Sequence, residues 1–171
     1  MKIIQPEVPY VISSNTLILQ TVRKESSLRT LVIERDRQFI HHRKAIHLIR
    51  ASCRYFGTSL ELATSSAKSV LNNRQKVPII VAFDHNVPII MIPTLSTSSE
   101  QNIWIGLHAI KSFTCDHKGH TVIELTNHLK VKLELSETTI QRQITLAYLL
   151  LRDYQEKHIR FNGTWLRTPS S

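Results

Sequence analysis

The period of the apolar residues changes along this chain, and these changes limit the folds that it can adopt. Short apolar segments with strand character occupy about the first forty residues and much of the chain after Lys76. Between them, over 44–73, apolar residues recur with a helical period, and a second helical stretch begins near 137. We therefore predict an α+β fold over 1–171, a single domain in which a basic helix pair is inserted among antiparallel strands and hairpins and a long C-terminal helix follows.

The strand predictions rest on β-branched and apolar segments that are separated by turn-forming residues. One such turn, Asp84-His85-Asn86, lies between two apolar runs and predicts a hairpin. The predicted strands are 10–13, 16–22, 28–34, 38–42, 78–83, 88–92, 103–114, 120–126 and 129–135.

Each predicted helix has an apolar stripe and a terminal signal. The first stripe includes Ile49 and Cys53 and ends at Gly57, which suits a left-handed C-terminal cap. Thr58 and Glu61 have the spacing of a capping box for the second helix. Ser136 is the predicted N-cap of the last helix, which is expected over about 137–160.

The positive charge of the chain is concentrated in one third of its length. Lys and Arg number 22 against 13 Asp and Glu, a formal net charge of +9. From Arg23 to Lys76 twelve basic residues stand against four acidic ones, which places +8 of that charge there. Such a local excess predicts a polyanionic partner, either nucleic acid or an anionic membrane face.

Helical spacing arranges part of this charge as a stripe. On the first helix, positions 43, 47, 50 and 54 share a face that lies away from the apolar stripe, and positions 65, 68, 69 and 72 share a face of the second. A solvated face is the alternative, but no carboxylate lies between Arg37 and Glu61. The candidate DNA-binding residues are Arg43, Lys44, His47, Arg50, Arg54, Ser65, Lys68, Ser69, Asn72, Arg74 and Lys76.

Other functional classes find less support in the sequence. No apolar run approaches the roughly 18 residues of a membrane span, no export signal is visible, and two cysteines suggest a cytoplasmic location. Cys115, His117 and His120 are a loosely spaced zinc candidate, although the same segment fits a polar hairpin turn. Catalytic motifs are missing, so we expect neither an enzyme nor a required cofactor.

The C-terminal helix is apolar around most of its circumference. Leu146, Leu149 and Leu150 lie off its main stripe. They are either buried on several sides within one chain or offer a face to a second copy, and both readings stay open.

Three segments together resemble the ComK family, the competence transcription factors of Gram-positive bacteria. They are Ser52-Cys-Arg-Tyr-Phe-Gly-Thr-Ser59, Val77-Pro-Ile-Ile-Val81, and Ile92-Pro-Thr-Leu-Ser-Thr-Ser98 leading into Ile103-Trp-Ile and Lys111-Ser-Phe113. The resemblance extends from about 31 to 113, and more loosely to 135. It implies an activator of DNA-uptake genes that binds AT-rich double-stranded DNA boxes largely through the minor groove.

The resemblance also implies a dimer that pairs into a tetramer, contact with RNA polymerase, and removal by an adaptor and a Clp-type protease. Arg54 lies within the matching segment, whereas this chain has Ala63-Thr64 where relatives carry a basic pair, so its contacts are expected to differ. Relatives also extend further at the C-terminal end, which leaves the adaptor-binding tail open. The alternative function is a protein-interaction or RNA-binding module that uses the same basic patch.

Overall fold

The computed structural model describes residues 9–72, 74–96 and 99–165, with side chains as far as residue 160. The described part contains nine strands, three α-helices and one short 3₁₀ helix at Leu107–Ala109, and the predicted α+β class is confirmed. The elements are β1 (Thr16–Lys24), β2 (Ser27–Glu34), β3 (Gln38–His41), α1 (Ala45–Tyr55), α2 (Leu60–Val70), β4 (Ile79–Asp84), β5 (Val87–Pro93), β6 (Ile103–Gly106), β7 (Ile110–Cys115), β8 (Thr121–Leu125), β9 (Lys130–Leu133) and α3 (Glu137–Trp165).

The strands form two antiparallel sheets. Six of them lie in the order β3-β2-β1-β6-β5-β4, and the other three lie in the order β7-β8-β9. The centre of the larger sheet is the pairing of β1 with β6, in which Ile18 lies opposite Ile105. The hairpin predicted between β4 and β5 is confirmed, and both of its turn residues, His85 and Asn86, have positive φ, as a type I′ turn requires.

Two apolar clusters share the larger sheet. One lies between this sheet and helices α1 and α2, and it includes Leu19, Ile49 and Trp104 together with the middle of α3. The other lies between the sheet and strands β8 and β9, and it includes Ile18. Because successive strand residues point to opposite faces, the neighbours Ile18 and Leu19 stabilise the two different layers.

The helix ends agree with the sequence signals at two positions and disagree at one. Gly57 has φ +78 and follows α1 as the left-handed residue, and the Ser136 hydroxyl accepts the N–H of Thr139 at 3.2 Å. The capping box predicted at Thr58 is wrong, because α2 begins one residue later than expected. Its N-cap is Ser59, whose hydroxyl accepts the N–H of Leu62 at 3.1 Å.

Seven of the nine predicted strands are confirmed to within two residues at each end, and two are wrong. The segment 10–13 forms no strand, because its backbone N–H groups donate to side chains instead of to a neighbouring strand. The Ile12 N–H, for example, donates to the buried Ser52 hydroxyl at 2.9 Å. The segment 103–114 is broken by the 3₁₀ helix into β6 and β7, which belong to different sheets. Glycine suits the break, since a Cβ at Gly106 would lie 2.5 Å from the ring of His108.

Candidate nucleic-acid interface

Helix α1 presents part of the predicted cationic stripe. His47 and Arg54 are exposed and Arg50 is half-buried, while Ile49 and Cys53 on the other side are fully buried. The stripe and the core therefore occupy different faces of this helix, as the spacing predicts. Burial also raises the pKa of the Cys53 thiol to about 11, so this cysteine is a core residue rather than a nucleophile.

The helical placement predicted for Arg43 is wrong, because α1 begins at Ala45. Arg43 instead lies in the connection from β3, where its N–H donates to the His41 Nδ1 at 3.1 Å. Its carbonyl accepts the Thr30 hydroxyl at 2.7 Å. These two bonds hold Arg43 beside the sheet edge, one residue before the N-cap Lys44.

Most of the candidate residues line three adjoining clefts. A cleft of about 400 Å³ is lined by Lys44, His47 and Arg50, and Trp104 also lines it. A more open cleft of about 730 Å³ shares Arg50 and continues along α2. A third, of about 490 Å³, contains Arg43. We call seven of these residues the basic surface: Arg43, Lys44, His47, Arg50, Ser65, Lys68 and Ser69.

Two carboxylates from other elements contact the basic surface. The Arg50 Nη1 pairs with the Glu61 carboxylate on α2, and the Lys44 Nζ lies 3.2 Å from the Glu100 Oε1. The backbone amide of Glu61 and the Arg50 guanidinium both lower the pKa of the Glu61 carboxyl. The carboxylate-free face inferred from the sequence is therefore wrong in three dimensions, because folding brings in acidic side chains from outside α1.

The remaining candidate residues lie outside the three clefts. Arg54, Asn72 and Arg74 are exposed elsewhere on the helix pair and its C-terminal connection. Lys76 points to the scaffold: its Nζ donates to the Thr94 carbonyl at 2.9 Å, and burial together with the charge of Arg142 lowers its pKa. An ammonium engaged in this way is better suited to fixing the chain than to binding a phosphate.

Sequence reasoning missed several cationic residues of the third cleft. Arg29 and Arg37 lie on and just after β2, and His42 follows β3, so none of them belongs to the helical pattern. They approach Arg43 because β2 and β3 pair, with Thr30 opposite His41. The only local signal for this arrangement was the pair His41-His42 at the end of the predicted strand 38–42.

The loose zinc candidate forms a turn in the structure. The Asp116 carboxylate accepts the N–H groups of Lys118 at 2.9 Å and of His120 at 2.8 Å, and Gly119 has φ +80. Across 9–72, 74–96 and 99–165, no group of three or more His, Cys, Asp or Glu residues is placed to hold a metal ion. The hairpin-turn interpretation of this segment therefore accounts for its polar residues.

The protein is therefore an α+β protein in which a pair of helices carries cationic side chains on its exposed side. The sequence profile of the ComK protein family matches residues 7–158, and the chain belongs to this family. It is 24% identical over 148 residues to the competence transcription factor of Bacillus subtilis (strain 168). The alignment covers 86% of this chain and 76% of that protein. No solved structure shows a significant match.

Within the described residues, no helix combines the length and the hydropathy that crossing a membrane requires.

Proposed function

We propose that this protein is a competence transcription factor that binds AT-rich double-stranded DNA through the basic surface, largely in the minor groove. The observation that carries the proposal is that Lys44, His47, Arg50, Ser65 and Lys68 line adjoining clefts around α1 and α2. Family membership supports the same function.

The residue types suit this mode of binding. An AT-rich minor groove is narrow and strongly negative, and it attracts the side chains of arginine and lysine. The hydroxyls of Ser65 and Ser69 are small enough to donate to phosphate or sugar oxygens next to Lys68 on the same exposed face. The cationic and hydroxyl groups would then contact the sugar-phosphate backbone of the DNA and the floor of its minor groove at the same time.

The proposed function predicts a preference between duplexes. An AT-rich duplex should bind more tightly than a GC-rich duplex of equal length, and the logarithm of affinity should fall with the logarithm of salt concentration by about 0.9 per phosphate contact. Fluorescence anisotropy at two salt concentrations measures both quantities. Equal affinity for the two duplexes, or tighter binding of single-stranded RNA, would instead support the alternative of an RNA-binding or protein-interaction module.

We also propose that the outer face of α3 mediates self-association. Leu146 and Leu150 are buried within the chain, whereas Tyr148 is 58% and Leu149 47% exposed. Two of the three leucines thus pack within the chain, and Leu149 is the one for which we propose contact with a second copy. Exposed apolar side chains that are adjacent on one helix are suited to pairing with a second copy.

Leu149→Glu should therefore lower the assembly state. The charge would be buried without a partner in a dimer but would be solvated in the monomer, so sedimentation should report a mass close to that of one chain. Leu129→Glu is the matched control, because Leu129 is 40% exposed in the β8–β9 turn, away from α3. A wild-type protein that sediments as a monomer at every concentration tested would contradict the proposal.

RNA polymerase, and an adaptor that delivers the protein to a Clp-type protease, are the further partners that we propose for a cytoplasmic activator of this family. The cationic clefts support the proposal of AT-rich DNA as a partner, and the exposed apolar residues of α3 support the proposal of a second copy of the chain.

A further inference from the structure

The third cleft lies beside the edge of the larger sheet, next to the first cleft at the start of α1. Its walls come from β2, β3, α1 and the segment before β1, and its volume is about 490 Å³. Strand β3 is the last strand at this side of the described sheet and pairs with β2. The cleft falls within the 300–1,000 Å³ that small-molecule sites occupy.

The described lining of this cleft is cationic and contains no acidic side chain. Its lining includes Arg29, Arg37, Arg43 and His42. The nearby Glu34 carboxylate is already engaged, because it accepts from the Arg37 Nε at 2.6 Å and from the Tyr10 hydroxyl at 2.9 Å. Its side chain is only 9% exposed. Arg37 and Glu34 neutralise each other, so the positive charge left toward the cleft comes from Arg29 and Arg43, and it favours an anion.

Aromatic rings form the second part of the lining. The rings of Tyr10 and Phe39 meet edge to face with centroids 5.8 Å apart, and the Arg37 guanidinium lies 4.9 Å over the Phe39 ring. The Tyr10 hydroxyl is fixed by its bonds to Glu34 and Thr16, and burial raises the pKa of this phenol. The rings are consequently held in place, and a planar group can pack against them without a large loss of side-chain freedom.

From these features we infer that the cleft binds a single nucleotide unit, with the base against the aromatic side and the phosphate near Arg29 and Arg43. The unit has two sources, a free nucleotide or a nucleotide of DNA that flanks the segment bound at the basic surface. The second source rests on the proposed function, since Arg43 immediately precedes Lys44 of the first cleft. The first source does not depend on it.

The test uses the full chain, adenosine monophosphate, and two duplexes with the same AT-rich centre, one extended by several base pairs at each end. Arg29→Gln removes one guanidinium of the cleft and lies outside the α1–α2 surface. A charge-assisted hydrogen bond contributes enough that its loss should weaken nucleotide binding about 10-fold or more. Arg23→Gln is the matched control, because it makes the same charge change on the same hairpin, outside this cleft.

Calorimetry with the nucleotide and anisotropy with the duplexes separate the sources. Saturable nucleotide binding that Arg29→Gln weakens supports the free ligand. An advantage of the long duplex over the short one that Arg29→Gln removes supports the DNA source. If Arg29→Gln matches Arg23→Gln in both assays while unfolding like the wild type, the inference is overturned. Failure of the short duplex to bind would instead contradict the proposed function alone.

Discussion

The triple variant Lys44→Ala, Arg50→Ala and Lys68→Ala should bind an AT-rich duplex about 100- to 1000-fold more weakly than the wild type, because each lost charged contact costs on the order of 1 kcal/mol or more. These residues lie in the first two clefts, on α1, its N-cap and α2. The salt dependence should become shallower by about 2.7 units if all three contact phosphates. Titrations at several salt concentrations measure both effects, and an unchanged slope would remove the three residues from the interface.

Glu61→Gln is a control of opposite sign on the same surface. Glu61 forms an ion pair with the Arg50 guanidinium in the free protein, so removing the negative charge of Glu61 should leave Arg50 free to contact DNA. Affinity should rise severalfold, because binding then breaks no ion pair, while the slope of the salt dependence should change little, since the number of phosphate contacts stays the same. Weaker binding by this variant would show that the Arg50–Glu61 pair orients the guanidinium rather than competing with DNA.

Trp104→Ala should destabilise the protein by about 3–5 kcal/mol, because removing a buried tryptophan leaves a large cavity. Trp104 is 1% exposed, it pairs with Leu19 on β1 and Pro93 on β5, and it also lines the cleft that holds Lys44. Proteins of this size are stable by about 5–15 kcal/mol, so a large part of the total would be lost. Trp104 thus belongs both to the core and to the lining of the first cleft.

Urea unfolding followed by far-UV circular dichroism measures this loss. Leu62→Ala is the matched control, since Leu62 is 62% exposed on α2 and its truncation should change stability by at most about 0.5 kcal/mol. Equal urea midpoints for Trp104→Ala and Leu62→Ala would contradict the predicted contribution of Trp104 to stability. Trp104→Phe should recover most of the stability, because a second aromatic ring fills much of the same volume.

Features that depend on neighbours in the sequence were predictable. The apolar stripe through Ile49 and Cys53 predicts the buried side of α1, and the cap at Gly57 predicts its end, because both reflect helical geometry alone. The turn at His85-Asn86 has the same local origin. The cationic face of α1 could be predicted for the same reason, apart from Arg43, which lies before the helix begins.

Features that depend on distant pairing were not predictable. Nothing in the β-prone run 103–114 indicates that it divides between two sheets, because the 3₁₀ turn at the break contacts a distant part of the chain: the His108 Nε2 lies 2.8 Å from the Thr16 carbonyl oxygen, 92 positions away. The carboxylates of Glu61 and Glu100 reach the basic surface only through tertiary contacts. Likewise, Ser52 belongs to a recognisable motif, but its bond to the Ile12 N–H spans 40 positions.

The central strand pair has a consequence for the synthesis of the protein. Ile18 and Ile105 lie opposite each other but are 87 positions apart in the chain. At translation rates of about 5–20 residues per second, β6 is made roughly 4–17 s after β1, and during this time one edge of β1 has unpaired backbone groups. The nascent chain is therefore most open to wrong strand pairing before β6 emerges.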